Sequence, residues 1–154
     1  MFEREAVEIL LVEDNPSDAE LALHALKKCT VAHHILHVRD GAEALEFLFC
    51  CGQFATRDAG VRPVLVLLDL KLPKVDGLQV LRQVKGNPKT KAIPVILLTS
   101  SKEESDVASA YQLGVNSYIQ KPVNFGEFQE VVRQLGTYWL QVNAKPPAAA
   151  FQRS

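Results

Sequence analysis

Only three cysteines stand in this 154-residue chain, at Cys29, Cys50 and Cys51. An odd number without metal-binding spacing argues against a disulfide framework or a thiolate metal site, and fits reduced thiols in loops or core. An excess of one charge is also lacking: 17 basic against 18 acidic side chains leave a formal net charge of −1. That balance supplies no bulk attraction to nucleic acid or to an anionic membrane. No apolar run is long enough to span a bilayer, and Met1-Phe2-Glu3-Arg4-Glu5 lacks the basic and apolar regions of a signal peptide. A cytoplasmic protein is expected. What is present is a globular composition, 47% hydrophobic and 23% charged, in a length that suits one core.

Five short apolar runs alternate with helical patterns. The predicted strands are Glu8–Val12, Ile35–Val38, Val64–Leu68, Pro94–Leu98 and Ser117–Gln120. Regular βα alternation with such crossovers implies an α/β protein, a parallel sheet with helices on both faces. Strands one, three and four are nearly continuous hydrophobics and belong at the sheet centre. The second, His34-Ile35-Leu36-His37-Val38, alternates more and fits an edge. The economical arrangement is a five-stranded, doubly wound, flavodoxin-like sheet in the order 2-1-3-4-5.

Helix starts are marked by their caps. Asn15 precedes Pro16, an N-cap followed by proline at the first helical position. Asp40 with Glu43, Ser101 with Glu104, and Asn124 with Glu127 have capping-box spacing, and Asp76-Gly77-Leu78-Gln79 opens a helix similarly. Ala19, Leu21, Leu23 and Leu26 give the first helix its apolar stripe. Cys50 to Arg62 reads as a long surface loop. Residues 1–143 are expected to form one domain with an extended last helix, followed by a Pro/Ala-rich tail over 144–154, where Pro146 and Pro147 stop any helix.

The chemistry lies at the strand ends. Asp69 follows the all-apolar Val64-Leu65-Val66-Leu67-Leu68, at the sheet edge where open α/β folds carry ligands. It reads as a nucleophile or metal ligand, or else as the cap of the next turn. Glu13 and Asp14 end strand one, which neighbours strand three in this order. Like charges at roughly 4 Å cost on the order of 1–4 kcal/mol at surface-like dielectrics. Such a cluster therefore needs raised pKa values or a hard cation such as magnesium; the alternative is a polar capping loop. Strand four ends in Leu98-Thr99-Ser100-Ser101, where Thr99 offers a hydroxyl to a phosphoryl oxygen and Ser101 suits a helix cap. Strand five ends in Tyr118-Ile119-Gln120-Lys121-Pro122, with a lysine able to meet a phosphoryl group and a proline that is a candidate for a cis peptide.

These four strand ends together resemble the receiver domain of two-component response regulators, over roughly Glu8 to Val142. More narrowly, the long loop before strand three and the Tyr138-Trp139-Leu140 ending look like the small regulators that accompany cyanobacterial and bacterial phytochrome histidine kinases. The resemblance implies that Asp69 attacks a phosphohistidine on such a kinase and becomes an aspartyl phosphate. It implies a magnesium (or manganese) ion bound directly by Asp14 and Asp69, through water by Glu13, and by the backbone carbonyl of Lys71. Lys121 would pair with a phosphoryl oxygen, Thr99 would swing to bond it, and Tyr118 would turn inward. Two departures concern rate: Glu13 stands where the family more often has Asp, and Lys71 brings a positive charge near the path of a hydrolysing water. The expected protein is a stoichiometric phosphoacceptor rather than an enzyme, signalling through protein contacts without a DNA-binding domain.

Rival chemistries fit less well. An aspartate-nucleophile phosphatase wants a second acid two residues after the nucleophile, where this chain has Lys71. A dinucleotide site wants a glycine-rich turn where it has Glu13-Asp14-Asn15-Pro16. A receiver acting as a constitutive binding module, without phosphate, is the third alternative. His33, His34 and His37 lack accompanying acidic or cysteine ligands, so no metal is expected there. Along the last helix Phe125, Phe128, Val132, Leu135, Trp139 and Val142 recur at steps of three and four, with Val131 and Tyr138 alongside. That stripe exceeds one core contact and suggests a homodimer through the face formed by helix four, strand five and helix five, with Phe125, Phe128, Val132, Tyr138 and Trp139 as candidates.

Overall fold

The computed structural model describes residues 6–28 and 34–151. Met1–Glu5, Cys29, His33 and the last three residues lie outside the described residues, so the expectations made for them have no structural counterpart. In chain order the elements are β1 (Ile9–Val12), α1 (Pro16–Lys27), β2 (Ile35–Val38), α2 (Gly41–Leu48), β3 (Leu65–Leu68), α3 (Gly77–Lys85), β4 (Val95–Thr99), α4 (Glu104–Gln112), β5 (Ser117–Gln120) and α5 (Phe125–Thr137). All neighbouring strands pair in parallel, in the order β2-β1-β3-β4-β5. No helix among the described residues is long and apolar enough to cross a membrane.

Strand alternation divides the core into two layers. Leu10, Val12, Val66, Leu68 and Leu97 face one way and pack with Phe47, Leu48, Val80, Leu81 and Val84 of α2 and α3. Ile9, Leu11, Leu65, Leu67, Ile96 and Leu98 face the other way, onto Ala22, Ala25 and Leu26 of α1 and Phe128, Val132 and Leu135 of α5. Successive residues of a strand point to opposite faces, so continuous apolar runs are what a sheet covered on both sides demands. On α1 the deepest residues are the small Ala19, Ala22 and Ala25 with Leu26, while Leu21 and Leu23 stay half-buried. This shifts the predicted stripe toward the alanines, which let α1 approach α5 closely.

Four of the five expected caps form. Asn15, Asp40, Asp76 and Asn124 accept from the backbone N–H three residues on, at 3.1, 2.8, 3.0 and 3.1 Å. Ser101 does not: the cap position of α4 is Glu103, which makes no side-chain cap bond. The Ser101 hydroxyl instead accepts from Glu103 N at 3.3 Å and donates to Asp106 at 2.6 Å. It braces the approach to a helix whose cap lies two residues later than expected.

The connection after α2 is more than a surface loop. Gly52–Phe54 forms a 3-10 turn, and the Phe54 ring meets Phe47 edge-on at 5.2 Å. Arg57 lies 4.1 Å over Phe47 and donates Nε to the Phe47 carbonyl at 2.8 Å. At the other end, α5 is continued by a π-helical turn over Tyr138–Val142, closed by Asn143 N donating to Tyr138 O at 2.7 Å. The chain beyond it folds back, and Phe151 lies half-buried with Arg62 at 3.9 Å over its ring.

Candidate functional site

The sheet register builds the site. Val12 pairs with Leu68, so Glu13 and Asp69 emerge side by side, and Asp69 N donates to Val12 O at 3.1 Å. Leu68 pairs with Leu97 and Thr99 with Gln120, which brings Thr99 and Lys121 to the same edge; Lys121 N donates to Thr99 O at 2.7 Å. Four strands thus end at one level with polar side chains where their apolar runs stop.

Lys121 is the hub. Its Nζ lies 2.6 Å from Glu13 Oε1, 2.9 Å from Asp18 Oδ2 and 3.0 Å from Asp69 Oδ2. Glu13 is 4% and Asp69 9% exposed, so these charges are poorly screened by water. Burial, helped by the charge of Asp69 and opposed by the bond to Lys121, pushes the Glu13 carboxyl up to about 7. Burial alone would pull Lys121 down, but its bonds to Glu13 and Asp18 and the charge of Asp69 hold it above its usual range. Three carboxylates meet one ammonium, and Asp14 adds a fourth beside Glu13 and Asp69, so the site retains an excess of negative charge.

That excess suits a divalent cation. Among the described residues, Glu13, Asp14 and Asp69 are the one group of three acidic, histidine or cysteine side chains whose ligand atoms lie within 4.8 Å of one another. Their hard oxygen donors, with Asp14 exposed, fit magnesium or manganese. A cleft of about 640 Å³ opens beside Asp14 and is lined by Lys71, Asp76, Arg82 and Asp106, among others. Lys71 also donates its backbone N–H to Asp69 Oδ1, at a long 3.4 Å. Of the histidines, His37 Nε2 is 2.8 Å from the Glu13 carbonyl and takes part in no such group.

Thr99 is buried, and its hydroxyl accepts from Ser101 N at 3.3 Å. Half-buried Tyr118 donates its hydroxyl to the Ser101 carbonyl at 3.1 Å. The backbone of one residue, Ser101, thereby links the two side chains through its N–H and its carbonyl. Pro122 is not preceded by a cis bond; every described peptide is trans, and the backbone N–H of Lys121 on β4 already sets the turn. Phe128 and Val132 are also corrected as dimer candidates. Both are buried against α1, at 4% and 0% exposure, and cannot contribute to an outward surface. Phe125, Tyr138 and Val142 are exposed, and Trp139 is half-buried against its own domain.

Asp18 is the site residue that the sequence did not reveal. It lies in the first turn of α1, where an acid is ordinarily explained by the helix dipole. No local pattern signals it, because its partner Lys121 stands 103 positions away.

Comparison with known proteins agrees with this geometry. The response regulator receiver domain family matches residues 9–133. Over 140 residues the chain is 41% identical to response regulator Rcp1 of Synechocystis sp., covering 91% of this chain and 93% of that protein. The crystal structure of Mn2+-bound Rcp1 superposes with a TM-score of 0.85 at 40% identity, over 93% of this chain and 100% of that one. The phosphorylated cyanobacterial phytochrome response regulator RcpA gives 0.86, also at 40% identity and covering 93% and 100% of the two chains. A match of this extent and identity fixes the ancestry: the protein belongs to the response regulator receiver domain family.

Proposed function

We propose that the chain is a phosphoryl-accepting switch whose acceptor is Asp69 and whose donor is a phosphohistidine on a sensor histidine kinase of the phytochrome class. The observation that carries this reading is the single Lys121 ammonium held between Asp69 and Glu13 at the strand ends. An Asp69 oxygen attacks phosphorus, the P–N bond breaks, and its electron pair stays on the ring nitrogen; the donor leaves as neutral imidazole, with a proton already on its other nitrogen or one taken up from water by the departing nitrogen. Lys121 turns from the carboxylate to the phosphoryl oxygen that succeeds it. Glu13, Asp14 and Asp69, with the Lys71 backbone carbonyl, would hold magnesium or manganese, whose charge offsets that of the transferring group.

Thr99 then exchanges its bond from Ser101 N for the phosphoryl oxygen, which loosens the Ser101 backbone whose carbonyl Tyr118 holds. Tyr118 follows inward, and the face formed by α4, β5 and α5 changes shape. Exposed Phe125 and Tyr138 support a homodimer through the face formed by α4, β5 and α5. Residues 1–143 form the switch, and the half-buried Phe151 supports a tail over 144–154 that is fastened to it. The protein is consumed and regenerated stoichiometrically, with its own residues promoting phosphorylation and slow hydrolysis.

Incubation with acetyl phosphate and magnesium, followed by intact mass, tests the reading. Wild type should gain one phosphoryl group and Asp69→Asn none. No gain on wild type, or equal gain on both, contradicts it.

A further inference from the structure

An ammonium has three N–H bonds, and Lys121 directs all three at carboxylates: Glu13, Asp18 and Asp69. Glu13 and Asp69 come from strand ends. Asp18 comes from α1, is half-buried, and is itself fixed by the bond from its backbone N–H to the Asn15 cap. We propose that Asp18 is a positioning residue for phosphoryl transfer, holding Lys121 so that one N–H alone remains for Asp69 and for the phosphoryl oxygen that replaces it. This rests on Asp69 being the acceptor.

Lysine ends in a rotating point charge on a flexible stem, so a single anchor leaves its remaining hydrogens free to swing. Glu13 and Asp18 approach from two elements, β1 and α1, and two charge-assisted bonds fix both the place of Nζ and the direction of its third hydrogen. The strength of the contact is its geometry: at 2.9 Å the Asp18 bond is as short as ordinary charged N–H···O bonds, and Lys121 is nearly buried while making it. With Asp18 removed, the freed hydrogen turns to Asp69 or Glu13, and the ammonium shifts across the nucleophile. Small misplacement of a positioned group is costly in rate, because the reacting geometry is narrow. Asp18 lies outside the three carboxylates that fit a cation, so its loss should spare metal affinity.

The test uses the full chain, acetyl phosphate and magnesium, with Asp18→Ala and Asp18→Asn beside wild type and Asp69→Asn. Phosphorylation of Asp18→Ala should slow by about tenfold, while Asp18→Asn, which keeps an acceptor oxygen, should return close to wild type. Magnesium affinity should be the same in all three acceptor-competent proteins. The Lys121 side-chain ammonium signal in 1H–15N spectra should be protected in wild type and Asp18→Asn and lost in Asp18→Ala. Wild-type rates in Asp18→Ala, equal slowing in both Asp18 variants, or slowing that tracks weakened magnesium binding each overturn the proposal. Failure of wild type itself to gain a phosphoryl group would instead remove the underlying reading, so the two failures are distinct.

Discussion

Gly77 sits so close under Asp69 that a Cβ built on it would fall 2.2 Å from the Asp69 carbonyl oxygen and 2.8 Å from the Leu70 Cα. The neighbours are backbone, so they cannot turn aside as a side chain would. Gly77 N also donates to Leu70 O at 2.7 Å, tying the start of α3 to the segment that carries the acceptor. Gly77→Ala should therefore cost about 1–3 kcal/mol by urea denaturation, as overpacking does. Phosphorylation of Asp69 should slow with it. An unchanged denaturation midpoint would show that the segment has room the structure does not give it.

Glu13 makes the site pH-dependent. Its folded value of about 7 lies above the ordinary 4.5 because it is buried, with Asp69 adding to the effect and Lys121 opposing it. A raised carboxyl means that the metal-free folded state binds more protons than the unfolded state between those values. Its contribution to stability is full below about 4.5 and is lost as pH rises through about 7. A divalent cation needs the ionised form, so proton and metal compete. Magnesium should raise the melting temperature more at one pH unit above the Glu13 value than at one unit below it. Glu13→Gln should flatten that difference, and an equal shift on both sides in wild type would contradict the account.

The tail offers a separate stability test. Phe151 lies beneath Arg62 and beside Val64 and Pro94, which precede β3 and β4. That is the sheet edge opposite Asp69. Phe151→Ala should lower stability by about 1–2 kcal/mol, from lost apolar burial and the cation–π contact. Thermal unfolding measures the loss, and the rate of phosphorylation should not change. A slowed rate with unchanged stability would reverse both statements.

Features that depend on short-range pattern were legible before the structure. Strand ends came within a residue because the apolar runs stop where the sheet stops, and Asp69, Glu13, Thr99 and Lys121 meet because parallel register lines up those stops. Caps followed where a polar side chain stood three residues before its backbone partner. Ser101 misled because its hydroxyl found Asp106 first. Periodicity could not say how deep each residue of α5 lies, so Phe128 and Val132, which fill the gap against α1, looked the same as exposed Phe125. Asp18 was hidden because its role depends on Lys121, 103 positions away, and no local pattern carries such a contact.

In the proposed reaction the carboxylate of Asp69 becomes an acyl phosphate. Borohydride reduces an aspartyl phosphate to homoserine, which peptide mass mapping places on one residue. After phosphorylation with acetyl phosphate and magnesium, homoserine should appear at position 69 and at no other aspartate. Homoserine at Asp14 or Asp18, or reduction of Glu13 in its place, would contradict it.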